Sequence, residues 1–112
     1  MTELKIANQM MNEIKEKENT IKKLNNLIDQ CTALEIKERN KRASHMLKLT
    51  NSGEKMTEKI KIAKCDELLK GEMGKISHIK KDIGKLKRQI ELHNDKISLY
   101  RNMIRELQIT IL

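Results

Sequence analysis

Isoleucine recurs every seven residues through the second half of the chain. With Ile76 as heptad position a, Ile83, Ile90, Ile97, Ile104 and Ile111 also fall at a, and Ile79, Leu86, His93, Tyr100 and Leu107 fall at d. Leu69 and Ile62 carry the a row backward. A sustained 3.5-residue period predicts a long helix with a left-handed coiled-coil seam. The first half carries a weaker copy, with Ala7, Ile14, Ile21 and Ile28 at a and Met10, Lys17, Leu24 and Cys31 at d. Past Leu34 the period loosens around the wholly polar stretch 37–42.

Between the halves lies Thr50-Asn51-Ser52-Gly53-Glu54, the best turn signal in the chain. Gly53 suits the left-handed close of a first helix, and Asn51 or Ser52 suits the cap of a second. The expected fold class is all-α: an antiparallel helical hairpin of two long helices with coiled-coil packing, dimerising into a longer bundle. It forms a single domain over residues 1–112, with a helix over 2–50, a turn at 51–54 and a helix over 54–111. Gly71 and Gly74 mark a hinge at 71–74, a close approach to Ala33 or a break into three helices, because glycine weakens a helix interior by about 1 kcal/mol.

Register favours the hairpin over a parallel pair. A fold centred between Gly53 and Glu54 sets Cys31 beside Ile76, Ile28 beside Ile79, Leu24 beside Ile83, Ile14 beside His93 and Ala7 beside Tyr100. It also brings Glu13 near Lys96 and Glu18 near Lys87, whereas two of four flanking pairs in a parallel homodimer would repel. Leu92, Leu99, Met103, Ile109 and Leu112, with Leu4, Ile6 and Met11, lie beside or beyond the seam. They predict a second apolar face for a homodimer or a partner helix.

Composition supports long helices rather than an aromatic core. Proline, phenylalanine and tryptophan are absent and Tyr100 is the sole aromatic. No apolar run approaches the ~18 residues of a membrane helix, and the first residues lack the pattern of a signal peptide. Two cysteines 34 residues apart fit an intracellular, cytoplasmic protein with reduced thiols, a nuclear address being the secondary alternative.

The net charge of +8 is uneven, and residues 37–64 carry nine positive and three negative charges. Lys37, Arg39, Lys41, Arg42, Lys48, Lys55, Lys59, Lys61 and Lys64 all map to the turn-proximal part of the hairpin. Lys75, Lys80, Lys81, Lys85, Lys87 and Arg88 continue along the second helix. The set suits an anionic partner, either an acidic protein or a nucleic-acid backbone. Without aromatics there is no platform for stacking single-stranded bases. A Lys-rich, simply solvated surface accounts for the same residues.

Other chemistry is weaker. Gly71-Glu72-Met73-Gly74-Lys75-Ile76 has two residues between its glycines where a phosphate loop needs four, and Ile follows its lysine. His45, His78 and His93 show no zinc spacing with each other or with the cysteines, so no metal site and no cofactor are expected. His93 reads as a polar residue of the seam, since no nucleophile is organised beside it. The expectation is a non-enzymatic structural or adaptor protein for macromolecular assembly. It has a protein partner or a second copy, no small-molecule substrate and no membrane. Nucleic-acid association through the basic end is the alternative.

Overall fold

In the computed structural model, residues 2–111 are described, with side chains through Ile109. They form three helices: α1 over Glu3–Asn51, α2 over Glu58–Leu68 and α3 over Lys70–Ile111. Thr2 starts α1, its hydroxyl accepting from the Lys5 amide at 3.3 Å, with Glu3 favourable in the positive first turn.

The turn is longer than expected, covering residues 52–57. Gly53 adopts φ +78°, the left-handed conformation that glycine takes without a Cβ penalty. The Ser52 hydroxyl ties the turn together, donating to the Leu49 carbonyl at 2.8 Å and accepting from the Glu54 amide at 3.4 Å. Neither Asn51 nor Ser52 caps the next helix. Thr57 does so, in an extended conformation, with its hydroxyl accepting from the Ile60 amide at 3.3 Å.

The break in the second half falls at Leu69, not at the glycines. Leu69 leaves helical geometry at φ −101°, ψ 10°. Hydrogen bonds still run through it, from its own amide to the Cys65 carbonyl and from the Met73 amide to its carbonyl, both at 2.9 Å. The break is therefore a distortion of the helical path, with the Leu69 side chain almost wholly buried. Gly71 and Gly74 lie inside α3, and a Cβ at either position would meet open space. That excludes the close approach to Ala33.

Contacts gather the chain into two compact units, Met1–Asn26 with Ile83–Leu112, and Leu27–Asp82. In the first, α1 packs antiparallel on α3: Glu3 meets Gln108, and Glu13 meets His93 and Lys96. The second unit contains the turn and is a helical hairpin. Within it Glu35 meets Lys80, Lys41 meets Glu72, Arg42 meets Asp66 and Thr50 meets Lys61.

The inward row of α3 follows the expected heptads. Ile97 is buried, and Ile76, Ile79, Ile83, Leu86, Ile90, His93, Tyr100, Ile104 and Leu107 are half-buried. The seam of α1 is turned from the expected one. Met10, Lys17, Leu24 and Cys31 face inward as anticipated, but the row beside them is Ile6, Glu13, Thr20, Leu27 and Leu34. Ala7, Ile14 and Ile21 sit half-buried at its margin, and Ile28 is exposed. Ile6, expected on an outer face, is buried, whereas Ile62, expected in the seam, is exposed. The turned seam has a polar reason: it lets the buried Glu13 and Thr20 reach the half-buried His93, so that the three polar side chains satisfy one another.

Candidate functional site

The basic set lies wholly in the second unit, and its members differ in availability. Arg42 is committed internally, its Nη1 donating to Asp66 at 2.7 Å and its Nε to Glu38 at 2.8 Å. Hydrogen bonding to Asp66, then to Glu38, holds its guanidinium above the ordinary arginine value. Lys41 donates to Glu72 at 2.8 Å, and that bond lowers the Glu72 carboxyl below its ordinary value. Lys61 bends back to the Thr50 hydroxyl at 3.3 Å. Lys37, Arg39, Lys48, Lys55, Lys59 and Lys64 are exposed, and none forms an ion pair among the described residues. Charge patterning identified all nine cations, but it could not separate the six that face water from the three held by α1, α2 and α3.

Beside them, Glu35, Arg39, Met73, Ile76, Ser77 and Lys80 line an open groove. Its lining combines the apolar Met73 and Ile76 with charged groups of both signs. The Cys31 thiol donates to Glu35 Oε1 at 3.1 Å. That bond, followed by burial, pushes the thiol above its ordinary value. The same bond, followed by Lys80, lowers the Glu35 carboxyl. Raised thiols are poor nucleophiles, and both Cys31 and Cys65 are free and buried. Cys65 is fully enclosed.

The first unit holds the apolar candidates. Leu4, Met11, Leu92, Leu99 and Ile109 are each more than half exposed. Met103 is half-buried, and Leu112 lies outside the described residues. Among the described residues no helix is long and apolar enough to cross a membrane.

The first unit also contains a polar cluster that sequence reading missed. His93 Nδ1 lies 2.6 Å from Glu13 Oε1, and its Nε2 lies 3.2 Å from Thr20 Oγ1. Thr20 donates its own hydroxyl to the Glu16 carbonyl at 2.9 Å. Lys96 Nζ stands 3.9 Å from Glu13, on a largely exposed side chain. Ligand atoms of Glu13, Glu16 and His93 all lie within 4.8 Å of one another. The available signal was the row Ile6, Glu13, Thr20, Leu27, Leu34, an apolar heptad with two polar members. Zinc spacing along the chain could not reveal it, because 80 residues separate Glu13 from His93.

No protein-family model matches the chain, and no curated protein and no solved structure matches it either.

Proposed function

We propose that this chain is a non-enzymatic adaptor that assembles with helices of its own kind through the first unit. One observation carries the reading: five large apolar side chains stand more than half exposed on α1 and α3 in that unit. There the buried apolar side chains among the described residues are Ile6 and Ile97. A single seam leaves each helix with uncovered apolar surface. Covering a half-exposed leucine contributes on the order of 1 kcal/mol, so docking another helix on Leu92 and Leu99 supplies about 2 kcal/mol. Coiled-coil packing in a homodimer meets that need.

Light scattering tests it. The chain is expected at twice its monomer mass at micromolar concentration, falling to the monomer mass in Leu92→Asp/Leu99→Asp with helicity kept. A monomeric parent, or a dimer indifferent to both substitutions, rules out self-assembly through this face.

Lys37, Arg39, Lys48, Lys55, Lys59 and Lys64, which form no ion pair among the described residues, favour a second reading, association with a phosphate backbone. It requires duplex binding whose log affinity falls with log salt by about 0.9 per phosphate neutralised. Lys48→Glu, Lys55→Glu, Lys59→Glu and Lys64→Glu together are the informative reversal. Changing Lys41 or Arg42 would instead break bonds within the hairpin. Salt-insensitive binding, or none, leaves these lysines as a solvated surface.

A further inference from the structure

We propose that Glu13, Glu16 and His93 form a divalent-metal site of the zinc class, joining α1 to α3 within the first unit. The three side chains come from two helices, with Glu13 and Glu16 one turn apart on α1 and His93 facing them from α3. Imidazole with two carboxylates is a nitrogen–oxygen donor set suited to zinc and its neighbours rather than to magnesium or calcium. Three protein ligands with a fourth position left to water is an established zinc arrangement.

The hydrogen bonds around His93 supply an independent reason. Thr20 spends its hydroxyl proton on the Glu16 carbonyl, so toward His93 its oxygen can only accept. With Thr20 so engaged, Nε2 rests on its hydroxyl oxygen and Nδ1 faces the Glu13 carboxylate. A ligating histidine held by its other N–H is the usual support of a metal site. Thr20 supplies that support here, and the Glu16 backbone in turn orients Thr20.

Little movement is needed. Tetrahedral bonds of 2.0–2.1 Å place ligand atoms about 3.3 Å apart. The His93–Glu13 pair therefore opens from 2.6 Å, and Glu16, which is exposed, swings inward. The proton now lying between Nδ1 and Glu13 leaves to solvent as the ion takes its place, and no bond order changes. Lys96 opposes the ion and is free to turn into solvent.

Zinc alone is the probe, titrated into the full chain by calorimetry and by competition with a chromogenic chelator. The expected result is one ion per chain, a raised unfolding midpoint, and retention of both in Cys31→Ser/Cys65→Ser. Glu16→Gln, at an exposed position that keeps the fold, should weaken binding at least tenfold. Thr20→Val should weaken it 10- to 100-fold, and Lys96→Ala should tighten it. Cobalt in place of zinc should give the visible absorption of a four-coordinate nitrogen–oxygen site. Absence of zinc binding at millimolar concentration by a folded chain overturns the proposal. So does binding that is indifferent to Glu16→Gln and Thr20→Val. Neither result bears on assembly through Leu92 and Leu99, so the two readings fail separately.

Discussion

His93 is the residue on which the first unit is most sharply defined. Its ring lies between the Glu13 carboxylate, which is nine-tenths buried, and the Thr20 hydroxyl. Such a pair is costly to break and dispensable as a whole. Removing one partner strands a buried polar group, whereas replacing both with apolar residues restores packing. Glu13→Leu and His93→Leu should each lower unfolding free energy by about 1–3 kcal/mol, and the double variant should match or exceed the parent. Urea denaturation measures all four corners of the cycle, and additive losses in the double variant would show that the pair is not coupled. Lys17 tells a complementary story. It occupies an inward position and is half-buried, as a lysine can be when its alkyl stem packs and its ammonium stays wet.

Among the helices, glycine separates what composition implies from what geometry requires. Gly71 and Gly74 suggest a hinge on the sequence alone, yet both are ordinary members of α3 with room for a side chain. Gly71→Ala and Gly74→Ala should each stabilise by about 0.5–1 kcal/mol. Gly53→Ala should destabilise by about 1–2 kcal/mol, because a Cβ is strained at φ +78°. Thermal melts of the three variants would refute this account if the signs were reversed. The position of the break, at Leu69 rather than at the glycines, was invisible beforehand. It lies in an apolar, proline-free stretch, and Leu69 itself obeys the heptad, so no local rule marks it.

For the molecule as a whole, ion pairs in the second unit make stability depend on pH at the acid end. Hydrogen bonds from Lys41 and from Cys31 hold Glu72 and Glu35 below the ordinary carboxylate value of 4.5. The unfolded chain therefore binds more protons than the folded chain just below that value. The contribution is complete above 4.5 and is lost as pH falls through the lower folded values. The unfolding midpoint should drop on acidification from pH 5, and the drop should be smaller in Glu35→Gln/Glu72→Gln. A parallel decline in parent and variant would mean that other carboxylates dominate. Both groups are substantially exposed, so added salt should blunt the effect.

Seven-residue spacing of isoleucine was enough to read off an all-helical chain, the turn near Gly53, the antiparallel pairing and the inward face of α3. Period and turn chemistry are local properties, and a row of six isoleucines tolerates no other rotation of its helix. The rotation of α1 was not legible. Its apolar residues border the seam on both sides, so Ile6 and Ile28 competed for burial on equal terms. Packing settled that competition, because only one rotation also satisfies Glu13, Thr20 and His93. The same limit explains the basic residues: a list of lysines records charge, while the acids that neutralise Lys41 and Arg42 arrive from α2 and α3. Contacts across 24 to 80 residues of chain depend on how two helices meet, and heptad spacing constrains each helix alone.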